Sequence, residues 1–483
     1  MSLRAAFLIS FIRSGGTYFL AFVSSIIISR LLAPAEIGIF SLAMAITAIL
    51  QALRDFGVGS YLLKERELTD DKLRTVFGAS LLLGWSVAAL LFFFRGAVAR
   101  YYSEPLIESI LLVLSLNSLL IPFGQVTSTL LRREQEFMRL SRISIISALA
   151  GSCASIGFAY FEFGPISLAY GLSASLLVSI LLLFAAHPTH ILMLPSLKEW
   201  RGVFAFGGKV SLTTTIVQLG MQAPELLMGR YLGFAAVGLY VRGLGVAKMI
   251  EQFFSGATGW VMGAEVGNLH RSEQNLTSLV LKATDYTLII CWPALLFLAL
   301  KADAIIWLLY GKIWLPAAPL VLALCLARGI QLIVSQASAI YEGTGAINLS
   351  LRNEIILQIA SVGLLLIGVS YGLLAVVWLR VLLGIVAVAV HLSVFRRYAN
   401  IGIRRMFFAI WRSGAVALGF GGALAGLIAL EPAGMLHSPL LLAGEAIIMG
   451  VIYLVLVVII RHPIAAELLT TAKSLLHKSW NPR

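Results

Sequence analysis

Long apolar stretches alternate with short polar clusters along the whole 483-residue chain. The apolar stretches run for roughly 20 to 27 residues, which is the length needed to cross a hydrocarbon core of about 30 Å at 1.5 Å per residue. This pattern predicts about fourteen transmembrane helices, of which the seventh is rich in polar residues and the tenth opens with two prolines. Their predicted bounds are 10–31, 36–63, 75–97, 106–131, 140–161, 164–186, 203–228, 233–258, 278–300, 315–341, 352–370, 372–395, 408–430 and 439–460.

The basic residues predict the orientation of these helices. Lysines and arginines are concentrated in alternate connections, for example within 64–74, 132–142 and 396–412, whereas the other set holds few, among them Lys301 and Lys312. Positively charged loops stay on the cytoplasmic side of the membrane. We therefore predict that both termini are cytoplasmic and that 301 and 312 lie outside.

An internal repeat organises the helices. The segment ISRLLAPAEIGIF at 28–40 aligns with MGRYLGFAAVGLY at 228–240, with an arginine, a leucine, an alanine and a glycine identical at an offset of 200 residues. Each copy opens a block of six predicted helices, and because six is even, both blocks enter the membrane in the same direction. The predicted domains are an N-terminal six-helix bundle at 1–190, a second bundle at 200–397, an additional helix pair at 405–462 and a cytoplasmic tail at 463–483.

Composition supports a membrane protein and narrows its chemistry. Hydrophobic residues make up 59% of the chain and charged residues 12%, about half the charged share of a soluble domain. The net charge of +13 would suit nucleic acid only on a basic, solvent-facing domain, which the pattern leaves no room for. Cys153, Cys291 and Cys325 are too scattered for a disulfide framework or a metal site. Nucleotide-binding and hydrolase motifs are absent, so we expect no enzyme, cofactor or metal.

Basic side chains inside predicted spans are the first candidates for a binding site. A charge near the middle of the bilayer costs roughly 2.5–3.5 kcal/mol on insertion scales, so one that is kept usually faces a cavity or a partner. Two of them have a simpler explanation, because Arg54 precedes Asp55 and Lys248 lies three residues before Glu251 on one helix face. The candidates are Arg54, Arg242, Lys248, Arg328 and Arg380.

Acidic side chains inside the spans are candidates for coupling to a cation. A buried carboxyl group can change its charge when a proton or sodium ion arrives. We select Asp55, Glu225 and Glu251, and note Glu342 and Glu445 as further acids within spans. Glu225 follows Pro224, which we expect to interrupt its helix. Pairing with a basic residue in the same membrane region is the alternative role for each acid.

Two motifs make a family recognisable. The stretch RLLAPAEIGIFSLA from Arg30 and the stretch LRDFGVGSYLL from Leu53 resemble the opening hairpin of polysaccharide-transport proteins. These include the Wzx-type flippases of O-antigen and exopolysaccharide repeat units, within the multidrug, oligosaccharidyl-lipid and polysaccharide exporter superfamily. The resemblance implies an all-α integral membrane fold of two pseudo-symmetric six-helix bundles around a central cavity, in the bacterial inner membrane.

The resemblance also implies a function. Proteins of this kind move polyprenyl-diphosphate-linked oligosaccharides across the inner membrane by alternating access, for O-antigen, capsule or exopolysaccharide synthesis. The implied partners are this lipid-linked oligosaccharide, membrane lipids and the polysaccharide polymerase and chain-length machinery. In this interpretation the five basic residues within spans contact the diphosphate head group, and Arg13 lies near the inner mouth of the path.

Other functions remain open at the level of the sequence. A flippase for the peptidoglycan precursor lipid II belongs to the same superfamily. A multidrug cation antiporter would favour an acidic and aromatic cavity, whereas the charges within the spans lean basic. A membrane glycosyltransferase or polymerase would need catalytic carboxylates in a large outer loop, and a structural scaffold would need no charged residues within its spans.

Overall fold

A computed structural model describes residues 16, 19–54, 62, 69–186, 194–196, 200–272, 274–431 and 438–464. Within these ranges the regular structure is helical throughout, and no strand occurs. Helices satisfy their backbone hydrogen bonds internally, which is what a chain this apolar needs in a membrane. The predicted all-α fold is confirmed.

We number the helices α1 to α16 in chain order. The first eight are α1 (Phe19–Leu31), α2 (Pro34–Arg54), α3 (Asp70–Tyr102), α4 (Leu106–Arg133), α5 (Phe137–Tyr160), α6 (Ile166–Ala186), α7 (Trp200–Tyr231) and α8 (Phe234–Arg271). The others are α9 (Thr277–Leu300), α10 (Ala302–Tyr310), α11 (Ala318–Gln331), α12 (Ala337–Thr344), α13 (Ile347–Val369), α14 (Leu373–Ala399), α15 (Ile403–Ala429) and α16 (Pro439–Ile459). Short 3₁₀ segments precede and follow α11, at Lys312–Ala317 and Leu332–Val334.

Eleven helical segments among the described residues are long and apolar enough to cross a membrane, with Lys312–Thr344 counted as one. Three helices at predicted spans one, seven and eight are not among them. Helix α1 is apolar but short, whereas α7 and α8 have 32 and 38 residues and carry several polar side chains. The chain is therefore a multi-pass membrane protein, and the full count of fourteen spans stays a prediction.

The tenth predicted span is a broken helix. It starts in the 3₁₀ segment that contains Pro316, continues as α11, breaks again at Leu332–Val334 and resumes as α12. The second break contains no proline or glycine, so the residue type alone did not predict it. A 3₁₀ segment in the middle of a helix often marks a functional hinge or a strained sequence.

The two copies of the internal repeat meet at their glycines. A Cβ atom on Gly38 would lie 1.8 Å from the carbonyl oxygen of Phe234, and one on Gly238 would lie 1.9 Å from that of Pro34. Pro34 and Phe234 are equivalent positions of the repeat, as are the two glycines. The two contacts are thus related by an approximate two-fold rotation. Only glycine lets the backbones of α2 and α8 approach so closely.

The chain separates into two compact units, residues 1–241 with 361–373 and residues 242–360 with 374–483. The first unit has an apolar core from α2, α3 and α4 that includes Leu42, Leu91 and Ile107. In the second unit α9 packs on α11 and α15, and α16 joins it through Val457. The domain boundaries expected from the repeat stay a prediction.

Candidate substrate-binding site

The predicted site residues differ in how much of them the structure describes. Arg13 and Asp55 lie outside the described residues, and Glu251 is described only as part of the backbone of α8. The other predicted side chains all lie on helices: Arg54, Glu225, Arg242, Lys248, Arg328 and Arg380.

Arg242 is held near two aromatic rings of the second unit. Its guanidinium carbon lies 5.7 Å from the ring centre of Tyr310 and 6.0 Å from that of Trp314. Both rings are buried, so they form a fixed surface for the cation. Cation–π contacts of this kind are worth about 0.5–2 kcal/mol and offset part of the cost of placing a charge in the membrane.

Arg328 lies on α11, one turn before the helix breaks. Its Nη1 donates a 2.8 Å hydrogen bond to Oε1 of Gln331, and its side chain is half-buried. The break at Leu332–Val334 follows directly. A backbone change at this break would therefore move the residue that orients Arg328.

Two glycines bring the helices of three arginines together. A Cβ atom on Gly243 of α8 would lie 3.4 Å from Leu324 Cδ1, and one on Gly384 of α14 would lie 3.1 Å from the carbonyl oxygen of Ala327. Both contacts are to α11. Arg242 is the neighbour of Gly243, while Arg380 lies four residues before Gly384 and therefore on the same face of α14.

Each of these arginines lies well inside its predicted span. Arg242 and Arg380 lie eight and seven residues after the first residue of α8 and α14, whereas Arg328 lies ten residues after the first residue of α11, which the 3₁₀ segment Lys312–Ala317 precedes. In the predicted topology these helices belong to spans eight, ten and twelve, which all start from the same side of the membrane. We call Arg242, Arg328 and Arg380 the arginine layer.

The remaining predicted basic residues occupy other places. Arg54 ends α2 in the first unit, where its side chain is only 8% exposed. Nearby, Ser211 Oγ of α7 donates to the carbonyl oxygen of Leu53 at 3.0 Å, which ties α7 to the end of α2. Lys248 lies six residues beyond Arg242 on α8, about 9 Å further along the axis. Neither belongs to the arginine layer.

Glu225 is half-buried on α7. The predicted interruption at Pro224 is wrong, because α7 runs unbroken from Trp200 to Tyr231. Proline lacks only one backbone donor, and the surrounding helix tolerates the loss in a membrane. The acid therefore does not stand beside a helix break.

Two buried polar networks were missed from the sequence, and both join α9 to the C-terminal helices. In one of them Asp285 of α9 lies 2.9 Å from His462 Nε2 and accepts a 2.5 Å hydrogen bond from Ser413 Oγ. The backbone N–H of Ile464 donates a hydrogen bond to His462 Nδ1. The ring hydrogen is therefore on Nε2, which donates a hydrogen bond to Asp285. Asp285 falls inside the ninth predicted span, so an acidic residue within an apolar stretch could have indicated this network from the sequence.

The other network contains Lys301, which the loop prediction treated as an outer residue. Its ammonium group bonds Glu431, just beyond α15, and lies 2.7 Å from Glu445 Oε1 of α16. All three side chains are about 6% exposed. Burial alone would raise the pKa of the Glu431 carboxyl, but hydrogen bonds with Glu445 and Lys301 together outweigh it and lower that pKa. Of the two buried carboxyl groups that bond Lys301, that of Glu431 is therefore the more acidic.

A polar cavity of about 250 Å³ lies among α12, α13 and α14. Tyr341 accepts a 2.8 Å hydrogen bond from Asn353 Nδ2, and its hydroxyl lies 3.0 Å from His391 Nδ1. Glu342 and Glu354 also line the space. The network connects the second half of the broken span to the two helices that follow it.

The eleven long apolar helical segments among the described residues define a multi-pass membrane protein as a class. The family model described as polysaccharide biosynthesis protein matches residues 27–319. The chain belongs to this family of polysaccharide biosynthesis proteins.

Two relatives agree with this assignment. The chain is 27% identical over 470 residues to the succinoglycan biosynthesis transport protein ExoT of Rhizobium meliloti, a match that covers 95% of this chain and 93% of that protein. It is 21% identical over 337 residues to the lipopolysaccharide biosynthesis protein WzxC of Escherichia coli, covering 69% and 68% of the two chains.

Solved structures establish the fold. The inward closed conformation of the lipid II flippase MurJ matches with a TM-score of 0.75 at 16% identity, covering 95% of this chain and 99% of that one. An inward-facing multidrug resistance transporter of the MATE family matches with a TM-score of 0.57 at 18% identity, covering 83% and 96%. At these identities the likeness concerns the fold alone.

Proposed function

We propose that this protein moves polyprenyl-diphosphate-linked oligosaccharide repeat units across the bacterial inner membrane, for the synthesis of a surface polysaccharide. The observation that carries the proposal is the arginine layer, with one arginine within each of three helices, of which α8 and α14 both pack against α11. Relatives named for succinoglycan transport and lipopolysaccharide biosynthesis support the same substrate class. The movement follows alternating access, in which the path opens first to one side of the membrane and then to the other.

The physical need for basic residues comes from the diphosphate. A diphosphate that leaves water loses strong hydration, and the cost is prohibitive unless other groups replace it. Guanidinium groups do so with paired N–H donors that match phosphate oxygens. The polyprenyl tail can stay in the lipid, so only the head group and its sugars need a polar path.

The other predicted residues complete this proposal. Arg13, Arg54 and Lys248 contact the head group or its sugars along the path, and Asp55, Glu225 and Glu251 take up the coupling cation. Both termini face the cytoplasm, where repeat units would be loaded. A polymerase with its chain-length machinery would receive them on the other side.

Two related functions share parts of this chemistry. A lipid II flippase also carries a polyprenyl diphosphate, and the arginine layer would serve it equally well. The named relatives act in succinoglycan, teichuronic acid and lipopolysaccharide biosynthesis, which favours a polysaccharide repeat unit. An antiporter of organic cations is disfavoured because Arg242, Arg328 and Arg380 would repel such a substrate.

Alanine substitutions in the arginine layer test the proposal. Each of R242A, R328A and R380A removes a hydrogen-bonding cation worth about 1.5–3 kcal/mol to a charged partner, so surface polymer should fall by about 10- to 100-fold. The measurement is polymer output in a strain that lacks the chromosomal gene, with membrane levels of each variant determined in parallel. R404A, which removes an exposed arginine at the start of α15, should retain normal output.

The contrary result is equally clear. Normal polymer output from all three variants, at membrane levels equal to those of the unsubstituted protein, would remove the arginine layer from the substrate path. A loss of output with R404A as large as with the others would show that any lost arginine impairs the protein.

A further inference from the structure

A buried group of one lysine and two glutamates lies in the second unit, apart from the arginine layer. Lys301 occupies the joint between α9 and α10, Glu431 follows α15, and Glu445 lies on the second turn of α16. Lys301 bonds both carboxyl groups, and all three side chains are almost completely buried. We call these three residues the lysine–glutamate triad.

The charges of the triad do not balance without a proton. One ammonium and two carboxylates leave a buried net charge of −1, and an uncompensated charge in an apolar region is among the most costly features of a fold. A single added proton makes the group neutral.

The geometry has a place for that proton. Oε2 of Glu431 is buried and receives no hydrogen bond from any described residue. The carboxyl groups of Glu431 and Glu445 both bond the single ammonium group of Lys301 and are therefore neighbours. Two ionised carboxylates repel and cannot bond, whereas a proton on one of them supplies the missing donor, as in other carboxyl pairs that share a site.

We propose that the lysine–glutamate triad is a proton-binding site in which Glu431 and Glu445 share one proton that exchanges with water during transport. Release moves the proton from the Glu445 carboxyl to a water molecule and leaves two carboxylates facing one ammonium. Uptake reverses the step. The exchange during transport rests on the proposed function, whereas the shared proton does not.

The titratable neighbours of the site are few among the described residues. Lys301 approaches from the α9–α10 joint, and each glutamate acts on the other. Asp303 of α10 is exposed, and Tyr453 lies eight residues beyond Glu445 on α16, about 12 Å along the axis. His437 lies outside the described residues and is included as a control below.

Infrared spectroscopy of the purified protein in lipid nanodiscs tests the shared proton directly. The unsubstituted protein should show a C=O band of a protonated carboxyl that disappears as the pH rises. E445Q should lose this band, because the proton carrier is gone. E431Q should lose the same band, because Glu445 then pairs with Lys301 alone and ionises. The double variant E431Q/E445Q should lose the same single band as either single variant, because each of the three variants lacks the one shared proton.

Two controls and three contrary outcomes complete the test. D303N and H437N should keep the band. Persistence of the band in both E445Q and E431Q would overturn the proposal. The loss of a different band in each single variant, and of both bands in the double variant, would also overturn it. If the glutamine variants fail to reach the membrane, the unsubstituted protein labelled with ¹³C at glutamate decides alone, because the absence of a pH-dependent, isotope-shifted band also overturns it.

A second readout separates this site from the proposed function. Polymer output of the unsubstituted protein should change across the pH range in which the band disappears, whereas output with E445Q should be independent of pH over that range. Equal pH profiles for the two proteins would reject proton exchange in transport. A failure of the protein to carry lipid-linked saccharide at all would leave the infrared result unchanged and would reject only the proposed function.

Discussion

Charged side chains of the second unit occur in two distinct settings. Arg242 lies near two aromatic rings, and Arg328 bonds the neutral amide of Gln331. Lys301 instead bonds two carboxyl groups. The sequence selected the two arginines as candidates because they lie within predicted spans, where a charge needs a reason. It did not predict the triad, because Lys301 and Glu431 fall in connections where charges are ordinary.

Loss of the triad's lysine should destabilise the protein. Lys301→Met leaves two buried carboxyl groups without their cation, and breaking a buried ion pair in this way costs about 3–5 kcal/mol. We expect a clear drop in the melting temperature of the purified protein. Lys312→Met is the matched control, because Lys312 is exposed and its loss should change stability by about 0.5 kcal/mol or less. Equal melting temperatures for the two variants would mean that the triad contributes nothing to stability.

At the scale of elements, two polar contacts at different positions along α9 join it to the C-terminal helices α15 and α16. Asp285 bonds Ser413 and His462 at one level, and Lys301 bonds the glutamates about 24 Å further along. Between them the contact is apolar and includes Ile289, Val416 and Val457. Hydropathy predicted α9, α15 and α16 as separate spans, because each is apolar over its length. It could not pair them, since many apolar helices offer equally suitable faces.

The broken tenth span is a second case in which the sequence did not reveal the packing of helices. Prolines 316 and 319 marked its first break in the sequence, because proline removes a backbone donor. The break at Leu332–Val334 has no such marker. Its position is set by packing around α11 and α12 and was therefore visible only in the structure.

The paired glycines of the repeat are predicted to be indispensable for the packing of α2 on α8. Gly38→Ala and Gly238→Ala each place a methyl group within 2 Å of a backbone carbonyl oxygen, which cannot move aside as a side chain can. Overpacking of this kind costs about 1–3 kcal/mol or more, so both variants should melt at lower temperature and reach lower membrane levels. Gly245→Ala on α8 is the control, because a Cβ there meets nothing within 4 Å. Unchanged melting of both variants would contradict the observed backbone approach.

At the scale of the whole molecule, the sequence predicted the fold class and the duplicated hairpin. Four identities at an offset of 200 residues indicated a repeat, and the structure brings Gly38 and Gly238 into equivalent contacts. The number of spans was harder, because α7 and α8 combine great length with polar residues that serve packing or function. Polarity at such positions hides a helix from any measure based on hydropathy alone.

The predicted topology can be tested by reporter fusions. An enzyme reporter that is active only in the periplasm should be active when fused after Ser103 or Pro432, which follow the third and thirteenth predicted spans. Fusions after Arg133 and Arg404 should be inactive, because the concentration of basic residues keeps these connections in the cytoplasm. Any reversed signal from a stably inserted fusion would contradict the orientation.

The most direct test of the proposed function is transport in purified form. The protein is reconstituted into liposomes with a labelled polyprenyl-diphosphate-linked oligosaccharide, and the label exposed to a membrane-impermeant glycan-cleaving enzyme is followed over time. We expect cleavage to proceed beyond the outer-leaflet fraction with the unsubstituted protein and to stop at that fraction with R328A. If cleavage with the unsubstituted protein stops at the same fraction as in protein-free liposomes, the result contradicts the proposed transport.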